Sequence, residues 1–167
     1  MHLLKITLIS LFIGFAISAT AQETKLLSKV PETKEEFVAS EPNVIASVEW
    51  LENTPINENE EMHKFQYGLL IEWMTNSPTV TLSLQPYVME YTKKNSELLI
   101  IFMSGWTKYS LQNEYTKDAL QCNLAGLQSM IKVYKTGKLK KDKKMDELVD
   151  LDEKGKLESW LKGQIKE

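Results

Sequence analysis

The sequence predicts an all-α fold, a single compact bundle or helical-hairpin array of five to seven helices spanning residues 32–167. Three observations carry this. Leu120, Leu124, Leu127, Ile131 and Tyr134 form an unbroken apolar stripe at helical steps, and beside it runs a stripe of small residues, Ala119, Cys122, Gly126 and Ser129, ending at Val133. A helix that is bulky on one side and small on the other packs against two neighbours, one of them close. Second, Leu98-Leu99-Ile100-Ile101-Phe102-Met103 is apolar without interruption and is followed by Ser104-Gly105, Trp106 and Tyr109. A segment apolar on all sides must be covered on several faces, and this one falls far short of the roughly 20 residues of a membrane span. Glu97 to Leu111 therefore reads as the buried central helix. Third, a single stretch, Thr79 to Gln85, alternates as a strand does, and it has no evident partner.

Taken in order, Met1 to Lys5 supplies a positive charge, Ile6 to Ile17 an apolar run, and Ala19-Thr20-Ala21 the small residues a signal peptidase reads. Residues 1–21 are thus expected to be a cleaved signal peptide, directing about 145 residues to a periplasmic or extracellular location. Residues 22–31 read as a loose polar tail. Thr33 and Glu36 have capping-box spacing and open a short helix. Pro42 is expected to start a second helix, since proline is tolerated in a first turn. Val44, Ile45, Val48 and Leu51 follow at helical spacing, and Thr54-Pro55 stops them.

Asn57 to Glu61 is an acidic lead-in to a helix over 59–76, with Met62, Phe65, Leu69 and Trp73 on one line. Residues 48–55 and 71–78 echo one another, which marks either stacked repeats or two helices sharing a stop signal; the mismatch of the preceding residues favours the shared stop. Residues 79–85 are either an extended connector or a short helical piece. Pro86 opens a segment carrying Tyr87, Val88 and Tyr91, and Asn95 or Ser96 caps the central helix. Thr116 is expected to cap the striped helix, with Gly137 as its stop. Lys135 to Lys144, with six lysines and one acid, reads as a solvated linker, and Met145 to Ile165 gives one or two short amphipathic helices.

The chemistry-bearing residues are few. The 20 basic residues are all lysine; arginine, the preferred residue for bidentate phosphate and base recognition, is absent. With a net charge of −3, this argues against a nucleic-acid partner. Cys122 is the single cysteine and reads as a buried small hydrophobe. Asp150, Asp152, Gly155 and Leu157 resemble the start of a calcium-binding EF-hand loop, but Lys154 and Leu161 stand where oxygen ligands belong. A helix-turn-helix junction with Gly155 at positive φ is the expected outcome.

Glu60 and His63 have the Glu-x-x-His spacing of di-iron bundles, but His63 is the one histidine beyond the leader and reads as a surface residue. His63 and Cys122 are also the one thiol-and-base pair available, and nothing beside Cys122 lowers a thiol pKa. No cofactor, metal site or catalytic constellation is expected.

Nine acids against one lysine between Glu32 and Glu61 contrast with the basic run, so the domain is dipolar if the two lie apart. Lys138, Lys140, Lys141, Lys143 and Lys144 offer a weak contact for anionic surfaces. The expected role is a non-enzymatic binding or scaffolding protein. The alternative is a carrier of an apolar small molecule or lipid, in a pocket between the Trp106 helix and the small face of the Cys122 helix, with Trp106, Tyr109, Cys122, Gly126 and Ser129 facing ligand or partner.

Overall fold

The first helix opens where the capping box places it. The Thr33 hydroxyl accepts from the Glu36 amide at 3.2 Å, and the Glu36 carboxylate reaches back to the Glu32 amide at 2.8 Å. In the computed structural model, which describes residues 25–136 and 138–165, this helix, α1, runs unbroken from Lys34 to Asn53. The restart expected at Pro42 does not occur. Pro42 faces solvent on the exposed side of α1, so water can serve the carbonyl one turn earlier that its missing N–H leaves unbonded.

Six more helices follow among the described residues: α2 (Glu60–Asn76), α3 (Val88–Thr92), α4 (Glu97–Gln112), α5 (Ala119–Tyr134), α6 (Lys143–Glu153) and α7 (Leu157–Lys162). The expected all-helical architecture is what forms. Helix α4 touches α1, α2, α3 and α5, and α5 touches α1, α4, α6 and α7. Those two helices are the axis of the domain. Leu98, Ile101, Phe102 and Trp106 are buried on α4, as are Leu127, Met130, Ile131 and Val133 on α5.

The small-residue positions do what their size permits. A Cβ placed on Gly105 would lie 2.9 Å from the Ala125 carbonyl oxygen, and one on Gly126 would lie 2.9 Å from the Phe102 carbonyl oxygen. Each helix thus carries a glycine at the point where the other's backbone comes closest. A mid-helix glycine costs up to about 1 kcal/mol against alanine, and this close packing offsets it.

Several local expectations are corrected. The described part of the segment before α1, residues 25–31, is docked, not loose: Leu27 is buried, its amide donates to Ser47 Oγ at 2.8 Å, and its carbonyl accepts from Gln66 Nε2 at 3.0 Å. Phe65 leaves the apolar line of α2 and is 50% exposed, because the buried face is set by His63, Gln66, Leu70, Trp73 and Met74. The cap of α5 is Asp118, which accepts from the Gln121 amide at 3.0 Å; Thr116 instead accepts from the Asp118 amide. Ser96 makes no side-chain cap on α4. Asn95 is turned away from that helix and clamps Lys140, donating to its carbonyl at 2.8 Å and accepting from its amide at 2.9 Å.

That clamp also corrects the lysine run. Asp142 is buried as the cap of α6, Lys143 and Lys144 are helical, and Lys144 pairs with Glu90. The run is a pinned crossing with its lysine side chains outward. Helices α1 and α6 do not touch, but Glu52 of the acidic segment pairs with Lys132, just before the basic run. The 48–55 and 71–78 echo is a shared stop: Val48 is buried whereas its counterpart Ile71 is 46% exposed. Gly155 takes φ +65 at the α6–α7 junction, as expected. Residues 1–24, which include the expected signal peptide and the first part of the tail, and the Gly137 stop lie outside the described residues.

Candidate functional site

Three places gather the chemistry of this chain: a polar cleft at the α1–α4–α5 junction, an apolar groove beside α2, and the buried imidazole of His63.

The cleft is built around Glu52. Steps of four from Val44 through Val48 lead to Glu52, so a carboxylate stands on the buried stripe of α1 and is only 5% exposed. Burial of a charge is tolerated only with partners, and four contacts supply them. Oε1 accepts from Lys108 Nζ at 2.7 Å and from Ser129 Oγ at 2.6 Å; Oε2 accepts from Lys108 Nζ at 2.6 Å and from Lys132 Nζ at 3.5 Å.

Burial drives the carboxyl upward, but hydrogen bonds from Lys108 and Ser129 and the charges of Lys108 and Lys132 outweigh it, leaving it below its ordinary 4.5. A carboxylate held in this way is a poor base. It accepts the Ser129 proton in a hydrogen bond without activating the oxygen for attack. Beside it opens a cleft of about 210 Å³, bordered by Gly105, Lys108, Tyr109, Gln112, Gln128 and Lys132 among others.

The groove is of the opposite character. Ile71 and Met74 of α2, Val80, Leu82 and Leu84 of the following segment, and Met103 of α4 enclose about 590 Å³, with hydroxyls of Thr75, Ser77 and Thr81 and no charged side chain among its lining residues. Residues 80–85 are neither helix nor paired strand, which settles the open choice in favour of a connector. Burial alternates from Val80 (buried) through Thr81 (exposed) and Leu82 (half-buried) to Ser83 (exposed), as in an extended chain. Ser77 Oγ accepts from the amides of Thr79 and Val80. Beyond them, no backbone N–H or C=O from 81 through 84 takes part in a hydrogen bond among the described residues.

His63 is not a surface residue: it is 2% exposed. Asn59, at φ 58, turns the chain into α2 so that the imidazole points inward. Its Nδ1 lies 3.2 Å from the Asn59 carbonyl and its Nε2 3.2 Å from the Thr54 carbonyl, with Trp50 packed on the ring at 4.6 Å between centroids. The imidazole sits between the two ends of the α1–α2 loop, and its single ring N–H can donate to one of these two carbonyls. Its Glu-x-x-His partner Glu60 faces outward, 3.9 Å from Lys64. Among the described residues no group of three or more His, Cys, Asp or Glu side chains could hold a metal ion.

Of the residues singled out from the sequence, Tyr109 and Ser129 reach the polar cleft. Trp106, Cys122 and Gly126 are buried in packing. Between the Trp106 helix and the small face of α5 the space that opens is this polar cleft, lined by Gly105, Ala125 and Ser129 together with Glu52, Lys108 and Lys132, while at the crossing itself the two glycines bring the backbones into contact. Cys122 Sγ lies 3.7 Å from the Thr116 carbonyl, and burial, with Asp118 nearby, pushes its thiol up to about 11. The structure does not join it to His63, whose ring nitrogens face other carbonyls.

At the α6–α7 junction Asp150 and Asp152 are helical, and the Lys154 ammonium sits 2.8 Å from Asp150. Reading the sequence missed Glu52, Lys108 and Lys132. The signal available was a charge on a buried stripe: Glu52 continues Val44–Val48, and Lys108 interrupts the face of α4 that holds Ile101 and Ser104.

No helix among the described residues is long and apolar enough to cross a membrane. Comparison of the chain with protein-family models, curated proteins and solved structures gives no match to any of them.

Proposed function

We propose that this protein is a non-catalytic binding module, acting outside the cytoplasm, that takes an extended apolar segment of a partner protein along the groove between α2 and the 79–85 connector. One observation carries the reading: an apolar groove is bordered by extended backbone whose polar groups from 81 through 84 have no hydrogen-bond partner among the described residues. Unpaired, extended backbone is what a peptide adds to when it binds as a further strand, with pockets for alternate side chains giving selectivity. The two methionines in the lining suit varied apolar side chains. The uncharged walls suit a neutral segment. The export half of the proposal rests on the leader-like composition of residues 1–21.

Peptides selected from a random display library on the intact protein test it. The selected sequences are expected to alternate apolar and polar residues, and their binding is expected to slow hydrogen exchange at amides 81 and 83, which point to the same edge of an extended chain. Ser83→Pro removes one of those donors without breaking a bond of the fold, and is expected to weaken binding by about tenfold, the equivalent of one charge-free hydrogen bond of about 1 kcal/mol or slightly more. Equal binding to Ser83→Pro, or unchanged exchange at 81 and 83, defeats the proposal.

The carrier alternative would use this same groove, whose lining is apolar, since the cleft between α4 and α5 is lined by Glu52, Lys108 and Lys132. Native mass spectrometry of gently purified protein distinguishes it. A co-purifying lipid-sized mass lost on Leu82→Asp would favour the carrier.

A further inference from the structure

We infer that the cleft beside Glu52 is a binding site for a small carboxylate anion. The charge there does not balance: one carboxylate, Glu52, faces two ammonium groups, Lys108 and Lys132. The two lysines hold it very differently. Lys108 contacts both carboxylate oxygens, at 2.7 and 2.6 Å. Lys132 reaches one of them at 3.5 Å, and its side chain is 47% exposed. With Lys108 and Ser129 still on Glu52, Lys132 can turn its ammonium to an incoming anion without leaving the buried carboxylate unpartnered.

The surroundings complete the argument. Tyr109, Gln112 and Gln128 line the cleft, and no side-chain atom of any of the three is hydrogen-bonded to another described residue. They are available as donors to the second oxygen of a carboxylate or to a hydroxyl on the same small molecule. Gly105 and Ala125 form part of the wall, which keeps side-chain bulk out of the space.

The volume of about 210 Å³ equals about seven waters at liquid density, the size of an organic acid of a few carbons. A surplus of one positive charge matches a monocarboxylate better than a phosphate dianion. The site lies on a different face of α4 from the groove: Met103 and Lys108 are five residues apart, about 140° around the helix. The two sites are therefore separable by mutation.

The probe is sodium lactate, titrated into the full protein at ionic strength held with sodium chloride and followed by amide chemical shifts. Lactate is expected to give saturable shifts concentrated at Gly105, Tyr109, Ala125 and Ser129. Lys132→Gln, a surface substitution that leaves Lys108 and Ser129 on Glu52, is expected to keep the urea midpoint and weaken lactate by about tenfold. Tyr109→Phe is expected to weaken it by a smaller factor. Shifts that never saturate, or lactate binding unchanged in Lys132→Gln, overturn the site. Inorganic phosphate binding more tightly than lactate at equal ionic strength overturns the carboxylate assignment.

Discussion

Replacing Gly105 by alanine is the sharpest test of how the α4–α5 axis is held. On helix propensity alone the change should stabilise the protein by about 1 kcal/mol, since glycine is that much worse than alanine in a helix interior. The structure predicts the reverse. The new Cβ would fall 2.3 Å from Ser129 Oγ, 2.7 Å from Ser129 Cβ and 2.9 Å from the Ala125 carbonyl oxygen, where ordinary contact begins at 3.4 Å. The hydroxyl cannot simply swing aside, because it bonds Glu52 at 2.6 Å, and the other two atoms belong to the helix itself or sit one bond from it.

The axis must therefore open by about half an ångström or more, and overpacking of this kind costs about 1–3 kcal/mol. Loss or lengthening of the Ser129–Glu52 hydrogen bond adds to that, because a bond to a charged group contributes about 1.5–3 kcal/mol. Set against the propensity gain, a net loss of about 2 kcal/mol is expected. Gly68→Ala is the internal control: that glycine is on the exposed side of α2 with nothing within 4 Å of a Cβ, so it should gain about 0.5–1 kcal/mol. Urea unfolding followed by far-UV circular dichroism measures both. A Gly105→Ala variant as stable as the wild type, or one that moves with Gly68→Ala, would refute the close crossing.

Three further outcomes follow from the same contacts. Glu52→Gln leaves the largely buried Lys108 ammonium without its counter-charge and should cost about 3 kcal/mol at neutral pH. Because the folded-state carboxyl lies below its ordinary 4.5, this contribution is full above that value and is lost as pH falls through the folded-state value. The stability gap between wild type and Glu52→Gln, measured by urea titration, should narrow on acidification below about pH 4.5; a gap independent of pH would contradict it. Asn95→Ala removes both bonds to the Lys140 backbone and should cost about 2 kcal/mol, with faster tryptic cleavage at Lys138, Lys140 and Lys141 than elsewhere; unchanged cleavage there would show that the clamp is unimportant. Cys122, buried and with its thiol pushed up to about 11, should resist a thiol reagent at pH 8 in the native protein and react fully in denaturant; rapid native labelling would place it at the surface.

What could be read from the chain without coordinates was whatever depends on short-range periodicity. The stripes of α5, the all-apolar run of α4, the Thr33 capping box and the Gly155 turn each involve residues within a few positions of one another, and each formed as its spacing implied. The small stripe even announced the close approach, since two helices can meet backbone to backbone only where side chains are absent. Pro42 misled because a proline signals a lost hydrogen bond, while whether water replaces that bond depends on which face the helix shows to solvent.

The sites were decided by tertiary structure. Glu52, Lys108, Ser129 and Lys132 lie on three helices, with Glu52 77 positions from Ser129, and no local pattern joins them. His63 looked like a surface residue until the left-handed turn at Asn59 rotated it inward. The connector at 79–85 had a strand's alternation but no second strand to pair with among the described residues, and Val80, Thr81, Leu82 and Leu84 were left to line a groove. Local spacing sets which face of each helix is apolar, but which charges end up beside one another is fixed by how the buried faces are shared, and that depends on all the helices at once.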